Sequence, residues 1–302
     1  MAGQANSVKS ILYALCANFS IFVAKLVAAV ITGSGAMLAE AIHSLADTAN
    51  QVLLLLGLKR SKSPPDNDHP LGYGKTIYFW SFIVAVMLFS MGGLFSLYEA
   101  IHKLGDPQPL KSPWIAVGVL VFAIIAEGVS MRACVIEVRK VLAGRSYWRW
   151  FRESRQSELV VIFGEDLAAL AGLVLALIAV VLTMITGNPL FDALGTAVIG
   201  VLLLIIAVLI GNEVRSLLIG QSIDPPIEAE IRSYLQNRAE IAKLHRLVTL
   251  QMGSRAMVSV KAEMSDANSA REMVDRINLV ERDMRQKFPI IQWLFFEPDI
   301  DD

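Results

Sequence analysis

Six apolar stretches constrain the fold of this 302-residue chain more than any other feature of the sequence. Each is roughly twenty residues long or longer, the length that one α-helix needs to cross about 30 Å of hydrocarbon in a bilayer. The stretches lie near 11–32, 36–58, 76–100, 114–138, 159–185 and 191–210. The sequence therefore predicts an α-helical membrane protein with six transmembrane helices.

Composition excludes several other classes of protein. Hydrophobic residues make up 55% of the chain and charged residues only 18%, which excludes an intrinsically disordered protein. The 27 basic and 28 acidic residues give a formal net charge of −1, so no global basic field attracts nucleic acid. We expect the lipid bilayer, rather than nucleic acid, to be a partner of this chain.

Lys and Arg are distributed unevenly between the loops, which predicts the side of the membrane that each loop faces. The loops at 59–75 and 139–158 carry most of the basic residues, whereas those at 33–35 and 187–190 carry none. Basic loops face the cytoplasm, so both termini are expected there. The absence of an Arg/Ser-rich leader favours a prokaryotic inner membrane as the location.

The residues that follow the sixth stretch are too polar for another membrane element. Hydrophobic spacing predicts a helix, two strands, a second helix and a third strand, at 227–238, 245–252, 256–264, 267–287 and 290–296. This αββαβ order fits a small ferredoxin-like α+β domain. We therefore divide the chain into a six-helix transport domain, 1–210, and a cytoplasmic dimerisation or regulatory domain, 211–302.

Polar residues in the second span mark a candidate functional site, because an ionisable group is costly in hydrocarbon unless it is paired or lines a cavity. Glu40, His43, Asp47 and then Asn50 or Gln51 follow one another at helical spacing and share one face. His43 and Asp47 can direct an imidazole nitrogen and a carboxylate oxygen to one ion, as in zinc sites. A His–Asp hydrogen bond that only joins two helices is the alternative.

The fifth span contains two adjacent carboxylates, Glu165 and Asp166. Neighbouring residues on a helix point about 100° apart, so one of the two can face the second span while the other faces elsewhere. Their mutual repulsion favours the sharing of a proton or the binding of a cation. An acidic pair that interacts with the dipole at a helix N-terminus is the alternative interpretation.

Other polar residues in the spans are candidates for lining a path through the membrane. They are Glu40, Asn18 and Glu127, each of which could instead stabilise a contact between helices. Lys25, in the first span, is expected to extend its amine to the outer interface.

Four segments, taken in order along the chain, carry a resemblance to a known family. They are SGAMLAEAIHSLADTANQ at 34–51, PDNDHPLGYGK at 65–75, EDLAA at 165–169 and LLIGQ at 217–221. The chain resembles the cation diffusion facilitators over nearly its whole length, in the zinc-transporter-9-like branch of that family. The resemblance implies a homodimer that exports divalent metal from the cytoplasm, usually in exchange for protons.

The resemblance also implies a tetrahedral site in the middle of the membrane, with two ligands on the second span and two on the fifth. His43 and Asp47 match the pair on the second span, and Asp166 matches the last ligand on the fifth. The position four residues before Asp166 holds Ile162, which cannot bind metal. Glu165 or water would complete the shell.

Two accessory sites of the family match this sequence incompletely. In the loop after the second span, Asp66 and His69 match two positions of a possible accessory metal site, and the third position holds Tyr73. His245 is the only histidine in the soluble domain, so the dimer contact of this domain is expected to depend on packing rather than on metal.

The sequence thus predicts efflux of a divalent cation by proton-coupled alternating access, with Zn²⁺ as the substrate and protons as the counter-ion. Binding needs neutral His43 and ionised carboxylates, so metal and protons compete for the same groups. An oxygen-rich fifth span would instead admit Mn²⁺, Fe²⁺ or Co²⁺. The alternative function is a non-transporting membrane scaffold with a partner on its cytoplasmic domain. No enzyme is expected, because an HExxH-type motif is absent.

Overall fold

The computed structural model describes residues 7–32, 35–106 and 113–301, and its N-terminal part consists of long helices. The six long helical segments are α1, Ser7–Thr32; α2, Gly35–Arg60; a continuous third helix, Thr76–Gly105; α5, Pro113–Val141; α7, Ser157–Thr186; and α8, Leu190–Ile219. The third helix comprises α3, Thr76–Met87, a π-helical segment, Leu88–Leu94, and α4, Phe95–Gly105. A short helix, α6, Tyr147–Glu153, precedes α7.

Among the described residues, five of these segments are long and apolar enough to cross a membrane. They are Ser7–Ala28 of α1 and the whole of the third helix, α5, α7 and α8. The helix that falls outside this set, α2, packs along α1 and carries the polar stripe predicted from the sequence. The prediction of a six-helix membrane protein followed by an α+β domain is confirmed.

The sixth long helix continues well past the end predicted from hydropathy. The sequence becomes polar after 210, yet α8 ends only at Ile219. Val214 and Leu217 remain buried on its inner face, and this packing keeps the last turns helical. Gly220, with a φ of 134°, ends the helix.

The C-terminal part is a three-stranded sheet with two helices. Its elements are α9, Pro225–Gln236; β1, Ile241–Met252; β2, Arg255–Met264; α10, Ala270–Lys287; and β3, Ile291–Pro298. The strand order is β1-β2-β3, with β1 and β2 antiparallel and β2 and β3 parallel. The predicted αββαβ order is therefore correct, and the ends of β1, β2 and α10 are as predicted, whereas the other boundaries shift by a few residues.

Direct contacts join this α+β domain to the helical part. The backbone N–H of Gly253, in the β1–β2 turn, donates to the hydroxyl oxygen of Tyr78 on α3 at 2.9 Å. The guanidinium of Arg145, between α5 and α6, donates to both carboxylate oxygens of Asp224 at 2.8 and 3.0 Å. The domain therefore lies on the same side as the two loops that are richest in basic residues.

Candidate metal centre

A cluster of polar side chains is buried between α2, α5 and α7, in the middle of an otherwise apolar set of helices. It contains Asn50 and Gln51 from α2, Glu127 and Ser130 from α5, and Glu165 and Asp166 from α7, all less than 9% exposed. We call this set the buried polar cluster. Burial of several carboxylates in a membrane protein is costly, so such a cluster indicates a functional site.

Glu165 is the member of the acidic pair that faces α2. Its side chain is 5% exposed, and each carboxylate oxygen accepts one amide hydrogen bond. Asn50 Nδ2 donates to Oε1 at 3.2 Å, and Gln51 Nε2 donates to Oε2 at 2.7 Å. The sequence left open which of the two amides belongs to the polar stripe, and the structure places both at Glu165.

Asp166 faces α5 instead. Its Oδ2 accepts a hydrogen bond from Ser130 Oγ at 2.9 Å, and Glu127 lies one turn before Ser130 on the same helix. Glu127 interacts electrostatically with Asp166, Asp47 and Glu165. The divergence of the two adjacent carboxylates follows from the roughly 100° rotation between neighbours on a helix.

Asp47 is half-buried on α2 and interacts electrostatically with both Glu165 and Glu127. Glu40 and His43 are residues of α2, but their side chains are outside the described part of the structure. Among the described residues, no three His, Cys, Asp or Glu side chains already form a group that could hold a metal ion. The assignment of His43, Asp47, Glu165 and Asp166 as ligands stays a prediction.

The first helix contributes two buried polar residues to the neighbourhood of the cluster. Asn18 is 6% exposed and Lys25 is 7% exposed, and Lys25 interacts electrostatically with Glu127. The expectation that Lys25 extends to the outer interface is wrong, because its side chain is buried inside the protein and interacts with Glu127. Asn18 and Lys25 are seven residues apart and therefore share one helix face. This spacing could have indicated from the sequence that Lys25 is buried.

Ser130 is a residue of the cluster that the sequence analysis missed. It follows Glu127 by three residues, so both lie on one face of α5. That spacing is weak evidence in the sequence, because serine is common in membrane helices. Its contact with Asp166 depends on the rotation of α5 about its axis, which only packing fixes.

The loop between α2 and α3 brings together the residues of the possible accessory site. His69 Nδ1 lies 3.4 Å from Asp66 Oδ1, and the Tyr73 hydroxyl donates to Asp66 Oδ2 at 2.7 Å. The pKa of Asp66 is lowered most by the hydrogen bond from the Tyr73 hydroxyl and next by a hydrogen bond from the backbone N–H of His69. The guanidinium of Arg60 lies 5.0 Å from the centre of the Tyr73 ring. An ionised carboxylate beside an imidazole is thus present, and metal binding there stays a prediction.

Chemically, the buried polar cluster offers carboxylate and amide oxygens to a cation, and the same carboxylates can accept protons. Carboxylates must be ionised to bind metal, so a cation and protons exclude each other there. Such a set of groups can exchange a bound cation for protons when the site closes to one side of the membrane and opens to the other.

Comparisons with known proteins agree with this chemistry. A family model described as the cation efflux transmembrane domain matches residues 11–219. The chain is 36% identical over 287 residues to the human protein named proton-coupled zinc antiporter SLC30A9, mitochondrial, covering 94% of this chain and 50% of that protein. It is 31% identical over 242 residues to metal tolerance protein C4 of Arabidopsis thaliana, covering 80% and 53%.

A bacterial relative is matched over most of its own length. The chain is 27% identical over 261 residues to the cation-efflux pump FieF of Salmonella newport, covering 85% of this chain and 81% of that protein. By contrast, the chain spans about half the length of the zinc antiporters and of the plant protein that it matches.

Proposed function

The chain belongs to the cation efflux family, and from this premise we propose that it exports Zn²⁺ from the cytoplasm in exchange for protons. It is an integral, multi-pass membrane protein. The observation that carries the proposal is the buried polar cluster, in which Glu127 and Glu165 interact electrostatically with each other, with Asp166 and with the neighbouring Asp47. The names of the curated relatives, which include a proton-coupled zinc antiporter, support the same substrate.

In the proposed mechanism, one set of groups binds the metal ion and the protons in turn. When the cluster is open to the cytoplasm, protons leave the carboxylates and Zn²⁺ binds between α2 and α7, with His43 and Asp47 as ligands on α2. When the cluster opens to the other side, protonation of the ligands lowers the affinity and releases the ion. Competition for shared ligands couples the two fluxes, with no separate proton site required.

The fifth span supplies the remaining ligands in this proposal. Glu165 faces α2 directly through its two amide contacts, so it replaces the ligand that Ile162 cannot provide. Asp166, hydrogen-bonded to Ser130, is the second ligand on α7. With carboxylates as both ligands on α7, the site is rich in oxygen, which favours Mn²⁺, Fe²⁺ or Co²⁺ as further substrates beside Zn²⁺.

We also propose that the chain acts as a homodimer with both termini in the cytoplasm, in a prokaryotic inner membrane. The basic loops at 59–75 and 139–158, and the α+β domain on their side, support this orientation. Dimerisation would use packing between the α+β domains at 211–302, beside a transport domain at 1–210. Labelling of single cysteines, first in intact cells and then in permeabilised cells, tests the orientation.

The central experiment measures uptake of radioactive Zn²⁺ into inverted vesicles, with a pH dye in matched proteoliposomes. We expect His43→Ala and Asp47→Ala each to abolish uptake and the accompanying proton flux, because each removes a ligand. The control is Asp275→Ala, which makes the same chemical change at an exposed position on α10. Uptake at the unmodified rate by a well-folded Asp47→Ala protein would remove this assignment.

The same liposomes test the alternative function, a non-transporting scaffold. A scaffold would bind its partner yet produce no metal-dependent proton flux in the unmodified protein. Flux that is abolished by Asp47→Ala therefore excludes the scaffold as the sole function.

A further inference from the structure

Two amide oxygens in the buried polar cluster have no hydrogen-bond partner. Asn50 is 2% exposed and Gln51 is fully buried, and in both residues the amide nitrogen donates to Glu165. The oxygens, Asn50 Oδ1 and Gln51 Oε1, are buried and accept nothing from the described residues. A buried acceptor without a donor carries a desolvation penalty, so its retention calls for a physical explanation.

The covalent geometry of the amides places both oxygens close to the Glu165 carboxylate. In a planar amide the oxygen lies about 2.2 Å from the nitrogen, so each unpaired oxygen is within roughly 6 Å of the carboxylate oxygen that its nitrogen contacts. A half-turn about the terminal torsion exchanges the positions of oxygen and nitrogen, and this torsion is soft. After that rotation, both amide oxygens face whatever is bound to Glu165.

The charge around Glu165 favours a cation as that occupant. Asp47 and Asp166 both act electrostatically on Glu165, and Glu127 belongs to the same acidic group. A hydrogen-bond donor without charge would satisfy the amide oxygens but leave this repulsion in place. A divalent cation satisfies the oxygens and offsets the repulsion at once.

We propose that Glu165, Asn50 and Gln51 form an oxygen-donor station for a divalent cation, which shares Glu165 with the transport site but not the ligands His43 and Asp47. The proposal deepens the proposed function and rests on it, because the station would hold the ion on its way to or from the transport site. Carboxylate and amide oxygens suit hard ions such as Mn²⁺, whereas imidazole suits Zn²⁺. The station therefore suits Mn²⁺ better than the imidazole-containing pair does.

The alternative is that the amides only fix the position of Glu165. The two interpretations differ in which atom of Gln51 matters: the oxygen for a ligand, the N–H for a positioning residue. Gln51→Leu removes both atoms, whereas Gln51→Glu keeps an oxygen donor and removes the N–H. The pair of variants therefore separates the two roles.

The experiment measures binding of Mn²⁺ to the purified full-length protein by the loss of the free-ion signal in electron paramagnetic resonance. We expect Gln51→Leu to weaken Mn²⁺ binding at this station by about 10- to 100-fold. Gln51→Glu should bind Mn²⁺ at least as tightly as the unmodified protein. Asp275→Ala, at the exposed position on α10, should bind Mn²⁺ like the unmodified protein.

Loss of binding in both Gln51 variants, or in neither, overturns the proposal. Asn50→Leu and Asn50→Asp form a second pair with the same expected pattern, and they decide the question if a Gln51 variant does not fold. Size-exclusion chromatography and helical circular dichroism establish folding before binding is measured. Zn²⁺ flux by the unmodified protein is measured separately, so failure of the transport proposal is distinguishable from failure of this site.

Discussion

Alanine at position 74 should loosen the contact between the α+β domain and the start of α3. Gly74, in the loop that precedes α3, lies directly against the β1–β2 turn. A Cβ built on Gly74 would lie 2.8 Å from the carbonyl carbon of Met252, still closer to its oxygen, and 3.4 Å from the nitrogen of Gly253. All three are backbone atoms, so no side-chain rotation relieves the collision.

The free-energy cost of Gly74→Ala depends on the contacts of the β1–β2 turn that must shift to make room for the added Cβ. The turn is held by the Gly253 N–H bond to the Tyr78 hydroxyl and by the pairing of Met252 with Arg255. Overpacking of this kind typically costs about 1–3 kcal/mol. If that free energy is removed from the docking of the turn, the undocked population rises by about 5- to 150-fold.

Hydrogen–deuterium exchange with mass spectrometry measures this population directly. Peptides that contain the β1–β2 turn and the start of α3 should exchange faster in Gly74→Ala, because the Gly253 N–H is released when the turn lifts. Gly118→Ala is the matched control, since a Cβ at that glycine on α5 meets no described atom within 4 Å. Unchanged exchange of the turn in a folded Gly74→Ala protein would refute the reasoning, since it would mean that backbone contact at Gly74 does not hold the domain.

Two further predictions concern groups outside the membrane spans. Tyr73→Phe removes the strongest cause of the lowered pKa of Asp66, so that pKa should rise towards its ordinary value; a ¹³C carboxyl titration, assigned by Asp66→Asn, measures the change. Because the folded-state pKa is lowered, the stabilisation of the loop by ionised Asp66 is complete above the ordinary pKa and is lost as pH falls through the folded value. Arg145→Lys replaces the two-point contact with Asp224 by a single one and should cost about 1–2 kcal/mol, seen as a lower thermal midpoint by scanning fluorimetry. The control, Arg149→Lys at an exposed ion pair, should change little, and equal effects of both variants would contradict the argument.

Local pattern in the sequence was enough to predict the elements of the fold. The length of each apolar run predicts a membrane helix because the thickness of the bilayer sets that length. Alternation and helical spacing after 224 predict the αββαβ order because side-chain periodicity is a property of the strand or helix itself. The end of α8 is where this reasoning failed, since burial of Val214 and Leu217 continues the helix where hydropathy falls.

The candidate site was predicted only in part, for a different reason. The sequence shows that Glu165 and Asp166 must diverge, but not which of them faces α2, since that depends on the rotation of α7 about its axis. Packing of α7 against α5 and α8 fixes that rotation, and Gln51 and Ser130 then meet different members of the pair.

The burial of Lys25 shows the same limit. A hydropathy pattern registers its charge but not the carboxylate of Glu127, which is about a hundred residues away in the sequence and near enough in space to interact with it. The order of amino acids thus determined which groups this protein has and which helix carries each one. Only the tertiary structure decided which groups meet, because contacts between distant segments depend on how the helices pack and rotate against one another, and no local periodicity encodes that.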